Sequence, residues 1–316
     1  MNIWKSGIMG VVIGDALGCP VQFESREEVA KHLVTGMRGF GTFNLPAGSW
    51  TDDSSLTLAL LESIRRTGGI DYKDIMDNFV NWLDDGAFTP YGYAYDIGRG
   101  TMSAIHRYKR YHKPLKAGNI DERSNGNGSL MRIMPAVLYC CDHALPADEA
   151  IDIIHKVGSL THAHIRSNIA CGLYCFIASA IVNEEGTLTK RLRTGLEKGF
   201  AFYETYLADH ENLECYDRLR DPDSFGALPE DTIRSTGYVV DTLEAAVWSL
   251  VNADNFADAL LKAVNLGYDT DTVGAVCGGL AGLYYGYDAI PEEWLSALQR
   301  REWIESLCAD AKDQRA

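Results

Sequence analysis

The stretch that decides the fold is Asp269–Gly282, which reads DTDTVGAVCGGLAG: an acidic, hydroxyl-rich start runs directly into a glycine-rich apolar segment. Its glycines at positions 274, 278 and 282 recur every four residues, and glycines at positions 10, 14 and 18 repeat that spacing near the other end of the chain. Each glycine inside a helix costs about 1 kcal/mol relative to alanine. Because positions four apart share a helix face, each stripe allows another helix to approach closely. Two interpretations stay open: tight packing alone, or packing that also fixes the helix end carrying Asp269 and Asp271.

A second acidic motif, Thr51-Asp52-Asp53, also combines paired carboxylates with a threonine hydroxyl at the start of an apolar helical pattern. Helix capping explains either motif alone, since Thr is a good N-cap and Asp in the first turn complements the helix dipole. One cap needs only one side chain, however, and oxygen-rich sets suit hard cations such as Mg²⁺ and Mn²⁺. If the motifs meet in space, their four carboxylates balance two such ions and predict a two-metal hydrolase. An EF-hand loop is excluded, because Leu280 stands where the twelfth-position glutamate is required.

Composition narrows the classes of protein. Of the 316 residues 46% are apolar, which is typical of a globular protein with a large core. The net charge of −15 disfavours nucleic acid and anionic membranes as partners. The eight cysteines form no Cys-x-x-Cys pair, and the N-terminus has no signal-peptide pattern, so we expect a cytoplasmic protein with reduced thiols. The longest run of apolar and small residues, Ile169–Val182, is shorter than the about 20 residues of a membrane span, so we expect a buried helix.

Helical periodicity recurs along the chain and convincing strand patterns do not. The predicted fold class is therefore all-α, with one domain over residues 1–316. Lys116–Gly128 and His210–Gly237 are predicted loops, and neither is a domain linker because the two acidic motifs flank both. The predicted helices cover about 3–18, 26–34, 53–66, 72–83, 98–112, 130–141, 147–159, 163–183, 188–208, 239–251, 255–266, 271–285 and 292–310.

Three further segments carry groups suited to a ligand. In Tyr95–Thr101, two glycines leave backbone N–H groups open at a predicted helix start, which fits either a phosphate site or an Asp-capped helix. In Gly126–Arg132, a glycine-rich turn runs into an apolar helix with Arg132 one turn in, which fits either a diphosphate cradle or a turn with a cap. His162 and His164 lack further ligands nearby, so hydrogen bonding or a phosphate contact is favoured over zinc.

Taken together and in this order, the motifs are highly specific. The chain resembles the ADP-ribosylglycohydrolases, the group that includes dinitrogenase reductase-activating glycohydrolase. The resemblance runs through nearly the whole chain. Its motifs are Gly14-Asp15-Ala16-Leu17-Gly18, Trp50-Thr51-Asp52-Asp53-Ser54, Asp96-Ile97-Gly98, Gly126-Asn127-Gly128-Ser129-Leu130-Met131-Arg132, Thr161-His162-Ala163-His164, Gly237-Tyr238-Val239-Val240-Asp241-Thr242-Leu243 and Gly267-Tyr268-Asp269-Thr270-Asp271-Thr272.

The resemblance implies an all-α single domain, a single compact orthogonal multi-helix bundle with a dinuclear site for two Mg²⁺ or Mn²⁺ ions in a central cleft. Asp96 matches an acidic residue near the reacting ribose, and it is the implied catalytic carboxylate beside Asp52 and Asp271. By matching position, the implied metal ligands are Thr51, Asp52, Asp53, Asp269, Asp271 and Thr272. The implied lining of the ADP-ribose cleft is Gly98, Gly100, Gly126, Asn127, Gly128, Ser129, His162 and Tyr238.

One departure from the family pattern follows the first glycine stripe. Relatives often read Pro-Val-Glu-Phe where this chain reads Pro20-Val21-Gln22-Phe23-Glu24. The glutamate is a proposed general base or gate in serine-directed members, and a glutamine does not accept a proton usefully. In an extended segment Glu24 points to the same side as Gln22, which makes it a candidate replacement. The departure weakens a serine-directed function and favours an arginine-type N-glycoside.

The expected function is therefore metal-dependent removal of ADP-ribose from a modified acceptor, with an arginine or guanidine linkage favoured and an ADP-ribosylated protein as partner. Two alternatives stay open. One is a hydrolase of a different small ADP-ribose or guanidine compound, although a guanidine-only enzyme does not need the Gly126–Ser129 segment. The other is a non-catalytic, crystallin-like or ADP-ribose-binding member, against which the intact ligand positions argue. A nucleic-acid-binding module lacks a basic stripe, and no membrane partner is expected.

Overall fold

The computed structural model describes residues 2–208 and 210–313, and within these ranges it contains helices and two isolated β-bridges but no strand. The predicted all-α class is confirmed. Six short 3₁₀ segments join some of the helices. The α-helices are α1 (Ile3–Gly18), α2 (Arg26–Lys31), α3 (Asp52–Thr67), α4 (Tyr72–Asp85), α5 (Arg99–Tyr111), α6 (Met134–Asp142), α7 (Ala147–Ser159), α8 (Ile165–Asn183), α9 (Leu188–Tyr206), α10 (Glu211–Glu214), α11 (Pro222–Gly226), α12 (Val239–Val251), α13 (Phe256–Asn265), α14 (Thr270–Tyr285), α15 (Glu292–Ala297) and α16 (Arg301–Asp313).

Helices α1 and α14 form the centre of the molecule, and they run antiparallel with their glycine stripes in contact. A methyl group added at Gly10 would lie 2.8 Å from the carbonyl carbon of Gly278. One added at Gly14 would lie 2.9 Å from the backbone nitrogen of Ala275. Such distances are closer than side-chain carbons come to backbone, so only glycine allows the two backbones to pack this tightly.

The same packing fixes the helix ends. The hydroxyl of Thr270, the first residue of α14, donates to the carbonyl of Gly18, the last residue of α1, at 2.8 Å. Of the two interpretations of the glycine stripes, the structure therefore supports the second. Close approach also holds the start of α14, with Asp269 and Asp271, at a defined place against the end of α1.

Helix α3 supplies the other acidic motif, and its ends follow from local sequence. Thr51 caps it by accepting a hydrogen bond from the backbone N–H of Asp53, and Gly68 ends it in the left-handed conformation with φ 71°. Asp52 and Asp53 lie in the first turn, where the helix dipole favours negative charge. The apolar side chains of α3 are buried, so the motif is carried on an element anchored in the core.

Helix α8 is long and apolar enough to cross a membrane by length and composition alone. However, 72% of its apolar window is buried inside the molecule, and core helices pass the same test of length and composition. Its apolar residues belong to the main hydrophobic core, as expected for the run Ile169–Val182.

Two predicted helices are interrupted in the structure. Residues 130–141 form a 3₁₀ turn, Leu130–Arg132, followed by α6, because the ring of Pro135 would clash with the carbonyl four residues earlier in a continuous helix. Residues 292–310 divide into α15 and α16, with Arg300 between them at φ 50°. A left-handed residue ends a right-handed helix, and sequence periodicity alone does not reveal it.

The predicted loop His210–Gly237 is more structured than expected. It contains α10, α11 and two 3₁₀ segments, Asp217–Arg220 and Glu230–Thr232. Its apolar residues Leu213, Leu219 and Phe225 are buried, so α10, α11 and Asp217–Arg220 each pack an apolar side chain against the core, whereas Glu230–Thr232 has no buried residue. Segments this short have too little periodicity to be recognised in sequence.

Candidate active site

The two acidic motifs, far apart in sequence, meet where α3 and α14 begin. The hydroxyl of Thr51 donates to Oδ2 of Asp271 at 3.3 Å, and the hydroxyl of Thr272 donates to Oδ2 of Asp53 at 3.4 Å. Each helix start thus sends a threonine hydroxyl to a carboxylate of the other. Asp269 stands at the N-cap position of α14 without a capping hydrogen bond of its own, so capping does not explain this side chain.

Asp15, from α1, holds the start of α3 in place. Its carboxylate accepts a hydrogen bond from the backbone N–H of Thr51 at 3.0 Å, and its Oδ1 lies 3.1 Å from the Thr51 hydroxyl, whose one hydrogen is shared between Asp15 and Asp271. It also accepts from the backbone N–H and hydroxyl of Ser54 at 2.9 and 2.5 Å. Asp15 is fully buried. Reasoning from the residues did not assign it a role, although an acidic residue inside an otherwise apolar helical pattern is a signal that could have identified it.

Replacing Asp15 with Asn is expected to weaken both stability and the site. The amide has one oxygen and one donor nitrogen, so at least one of the four donors at Thr51 and Ser54 loses its acceptor, at about 1–3 kcal/mol. We expect the free energy of unfolding to fall by that amount, and any hydrolytic activity to fall about 10–100-fold as the turn carrying Asp52 and Asp53 loosens. Denaturant titration and initial rates measure these effects, with exposed Asp148→Asn as the matched control. Unchanged stability and rate would mean that Asp15 does not position the motif.

Burial and mutual repulsion dominate the electrostatics of this cluster. Burial, and then the charges of neighbouring carboxylates, raise the pKa values of Asp52, Asp53 and Asp271 well above the usual range. Burial raises the pKa of Asp269 to about 6 and that of Asp15 to about 7. Like charges packed together without water favour uptake of a proton or a cation.

Two carboxylate oxygens test whether the cluster suits metal ions. Oδ1 of Asp53 and Oδ1 of Asp271 are buried and have no hydrogen-bond partner among the residues that the structure describes, which is costly for an ionised group. A hard divalent cation would satisfy both atoms and offset the repulsion, so the donor chemistry fits Mg²⁺ or Mn²⁺. As the side chains stand, however, no three His, Cys, Asp or Glu residues of the described ranges are arranged so that they could hold a metal ion. The ligand set therefore remains a prediction from the residues.

The cluster forms one wall of a cavity of about 490 Å³. The predicted metal-ligating residues that line it are Asp52, Asp53, Asp269 and Thr272, and Asp96 lines it beside them. Thr51 and Asp271 are buried and are not among the lining residues. The cavity thus has an acidic wall with two members of the predicted set lying outside its lining.

A second part of the lining, the glycine wall, is mostly backbone. It consists of Gly98, Gly100, Gly126, Gly128 and Gly237, with His162 beside them. Helix α5 begins at Arg99 next to these glycines, so its free N–H groups lie at the cavity edge. A methyl group at Gly100 would lie 2.8 Å from Nε2 of His162, so the glycine is required for the imidazole to sit against the backbone.

Asn127 connects the glycine-rich turn to the acidic cluster through its side-chain amide. Its side-chain nitrogen donates to Oδ2 of Asp269 at 2.5 Å and to the hydroxyl of Thr242 at 2.8 Å. Ser129 is fully buried beneath the turn and does not line the cavity. Tyr238 stands at the N-cap position of α12 and pairs with Gly126 in an isolated bridge. Tyr238 is not among the lining residues, whereas its neighbour Gly237 is.

Arg132 does not point toward the cavity, contrary to the interpretation of Gly126–Arg132 as a cradle that includes this guanidinium. The turn runs into a 3₁₀ segment, and the side chain of Arg132 is fully buried. It donates to the hydroxyl of Thr161 at 2.8 Å and stacks over the ring of Phe79, 4.8 Å from its centre.

Glu24 was the candidate to replace the glutamate that relatives carry at position 22, but Gln22 itself lines the cavity. The side-chain nitrogen of Gln22 donates to Oδ2 of Asp96 at 2.9 Å, and Gln22 is buried at the cavity wall. Glu24 is not among the lining residues. The extended segment that would have aligned the two side chains does not exist, because Phe23 between them is left-handed at φ 70°. Its backbone N–H donates to the carbonyl of Tyr268, and that of Tyr268 donates to Glu24.

Several cavity residues escaped the reasoning from sequence. They are Phe23, Ile97, Arg99, Thr101, Met131 and Gly237, which were not named as site residues although each is adjacent in sequence to a residue that the sequence analysis discussed. A rule that admits the immediate neighbours of a glycine-rich turn would have found them, because a turn exposes consecutive residues to the same cavity.

Comparison with known proteins adds to this geometry. The sequence profile described as ADP-ribosylglycohydrolase matches residues 4–316. The ADP-ribosylarginine hydrolase Tri1 of Serratia proteamaculans (strain 568) is 33% identical over 303 residues, which cover 96% of this chain and 77% of that protein. The ADP-ribosyl-[dinitrogen reductase] glycohydrolase of Rhodospirillum rubrum is 30% identical, with 93% and 89% covered. A solved structure titled ADP-ribosylglycohydrolase-related protein complex aligns with a TM-score of 0.77 and 32% identity over 98% of this chain and 96% of its own.

Proposed function

This chain belongs to the ADP-ribosylglycohydrolase family, and from that premise we propose that it hydrolyses the bond between ADP-ribose and a modified acceptor. The observation that carries the proposal is the cavity between the starts of α3 and α14 and the glycine wall. One side gathers carboxylates, and the other offers backbone N–H groups. Anionic phosphates suit the second side, and a ribose with its scissile bond suits the first.

The finer proposal is an N-glycosidic linkage to arginine on a protein. Two features support it: relatives at 33% identity bear the name ADP-ribosylarginine hydrolase, and Gln22 stands where serine-directed members often carry a glutamate. Gln22 donates its side-chain N–H to Asp96, so at this position Asp96 has an amide partner and not a second carboxylate.

The residues suggest how the reaction proceeds. Cleavage of a ribosyl bond builds positive charge on the sugar, which the surrounding carboxylates stabilise. In this proposal Asp96, which accepts a hydrogen bond from Gln22, aligns a water that bonds to the ribose carbon as the bond to the acceptor breaks, and the proton taken from that water passes to the departing acceptor. Bound at Thr51, Asp52, Asp53, Asp269, Asp271 and Thr272, two Mg²⁺ or Mn²⁺ ions would lower the pKa of a water and neutralise the cluster. The glycine wall holds the diphosphate, so binding of the remote ADP part positions the scissile bond.

Release of free ADP-ribose from an arginine-ADP-ribosylated protein tests the proposal. We expect release with Mg²⁺ or Mn²⁺, loss of release in EDTA, recovery when the metal is restored, and little release from a serine-linked substrate. Release from the serine-linked protein alone would contradict the arginine assignment, and release unaffected by EDTA would contradict the metal assignment. No release from either substrate, while ADP-ribose still binds, would favour a non-catalytic ADP-ribose-binding member.

A further inference from the structure

His162 lies at the junction of two cavities. It lines the main cavity of about 490 Å³ and a smaller neighbouring one of about 240 Å³. The smaller cavity is also lined by Arg99 and Arg123, so its surroundings are positively charged. The imidazole is 7% exposed. Its Nδ1 lies 2.9 Å from the hydroxyl oxygen of Thr161, and among the described residues Nε2 has no hydrogen-bond partner.

The hydroxyl of Thr161 has two hydrogen-bond neighbours, one that can only donate and one that can donate or accept. Nη2 of Arg132 lies 2.8 Å away and can only donate, so the hydroxyl oxygen accepts from it. Thr161 is fully buried, and within the described residues its hydroxyl has no other partner than Arg132 and His162. If Nδ1 of His162 donated as well, the hydroxyl hydrogen would be left buried without an acceptor, at about 1–3 kcal/mol. The hydroxyl therefore donates to Nδ1.

The ring is neutral, so this hydrogen bond determines its tautomer. Burial, reinforced by the charge of Arg132, lowers the pKa of His162 to about 3. A neutral imidazole has one N–H, and an accepting Nδ1 leaves that hydrogen on Nε2. Nε2 is the nitrogen beside Gly100 and Gly128, where an added methyl group would lie 2.8 and 3.0 Å from it.

We propose that Arg132 and Thr161 are positioning residues that hold His162 as its Nε2–H tautomer, so that the ring presents a fixed N–H donor to an acceptor oxygen of the ligand. Resting on the proposed function, that acceptor is a phosphate oxygen of the ADP-ribose unit. His162 in this state is neither a general base nor a metal ligand, because its only free nitrogen carries hydrogen.

The way in which Arg132 is buried supports a positioning role in addition to packing. Within the part of the chain that the structure describes, its Nε and Nη1 are buried with no hydrogen-bond partner, and its Nη2 donates to backbone carbonyls and to the Thr161 hydroxyl but to no carboxylate. Burial lowers its pKa to about 10, so it stays charged at neutral pH. An apolar side chain of similar size would avoid this cost. A guanidinium cannot accept a hydrogen bond, so the Thr161 hydroxyl cannot donate to Arg132 and donates to His162. A neutral group that both donates and accepts would not impose this direction.

The test begins with the tautomer of the wild-type protein. With ¹⁵N-labelled histidine, the side-chain nitrogen shifts of His162, assigned by comparison with His162→Asn, report which nitrogen carries hydrogen. We expect an Nε2–H imidazole that persists from pH 6 to 8. An Nδ1–H signal, or protonation of the ring within that range, would overturn the proposal before any Thr161 variant is measured.

The second arm replaces Thr161. Thr161→Val keeps the shape and removes the hydroxyl, whereas Thr161→Ser keeps the hydroxyl and is the matched control. For Val we expect a mixed tautomer, an ADP-ribose dissociation constant raised about 10-fold by the disordered donor, and a raised KM with kcat nearly unchanged. Ser should keep the Nε2–H tautomer and bind ADP-ribose within about threefold of wild type. A mixed tautomer with unchanged ADP-ribose affinity would overturn the donor role.

The two proposals fail in different ways. A wild-type protein that does not bind ADP-ribose contradicts the proposed function and the assigned ligand of His162, whereas the nitrogen shifts still decide the relay through Thr161. A wild type that binds ADP-ribose but does not hydrolyse any substrate leaves the nitrogen shifts and the ADP-ribose dissociation constants to decide the proposal. If Thr161→Val does not fold, the wild-type tautomer and the Thr161→Ser affinity decide the outcome.

Discussion

Asp52→Ala is expected to abolish release of ADP-ribose while the protein stays folded. Asp52 lies at the cavity in the first turn of α3, and its carboxylate is surrounded by other buried carboxylates. Losing one preorganised electrostatic group lowers turnover on the order of 10²–10³-fold, and loss of a metal ligand adds to this. Initial rates with saturating Mg²⁺ or Mn²⁺ measure the loss, and calorimetric titration of the same ions measures the weakened affinity.

Stability distinguishes this result from simple unfolding. Burial, and then the neighbouring negative charges, raise the pKa of Asp52, so removing its carboxylate relieves a desolvation cost and repulsion in the metal-free protein. We therefore expect the melting temperature in EDTA to be equal to or higher than that of wild type, while the increase that Mg²⁺ produces in wild type is reduced. Asp288→Ala, at an exposed position, is the matched control and should behave as wild type in every assay. Unchanged turnover in Asp52→Ala would refute the two-metal interpretation.

Gly14→Ala is expected to destabilise the whole molecule. The added methyl group would lie 2.9 Å from the backbone nitrogen of Ala275 and closer still to the carbonyl of Gly274, so neither contact can be relieved by a side-chain rotation. Overpacking of a core usually costs about 1–3 kcal/mol, and a clash between two backbones belongs at or above the upper end. Denaturant unfolding measures the difference in free energy, and the soluble yield reports failure to fold.

Gly158→Ala is the matched control for this clash. Gly158 is also a helix residue, in α7, but a methyl group there meets its nearest atoms at 3.5–3.7 Å, which is ordinary contact. We expect it to be neutral or to stabilise by about 0.5–1 kcal/mol, the gain from replacing a helical glycine by alanine. Equal effects of the two substitutions would show that backbone proximity of α1 and α14 is not what requires Gly14.

The two large effects are connected through the geometry of α1. Gly14 sits against α14, and the next residue, Asp15, binds the backbone and hydroxyls at the start of α3. One helix thus positions both acidic motifs, which come from opposite ends of the chain. Folded Gly14→Ala protein should consequently show reduced activity as well as reduced stability, because a shift of α1 moves Asp15 with it.

Local sequence predicted what depends on hydrogen bonds within a few residues. The helical periodicity identified the all-α class, and the caps at Thr51 and Gly68 follow from residue types with known preferences at helix ends. The two stripes of glycine indicated a close helix pair. The motif chemistry indicated an acidic metal site and glycine-rich helix starts that suit phosphate. The resemblance to a family supplied ADP-ribose as the ligand.

Tertiary structure decided what each side chain faces. Glu24 is absent from the cavity because a left-handed Phe23 breaks the alternation, and that conformation depends on the contact of Phe23 with Tyr268. Arg132 turns into the core toward Thr161, because a 3₁₀ turn and Pro135 replace the helix that the pattern predicts. The sequence by itself determined the all-α class, most of the long helices and the chemistry that their ends carry. Only packing between residues hundreds of positions apart decided which of those groups share a cavity, because side-chain direction depends on backbone geometry that distant contacts impose.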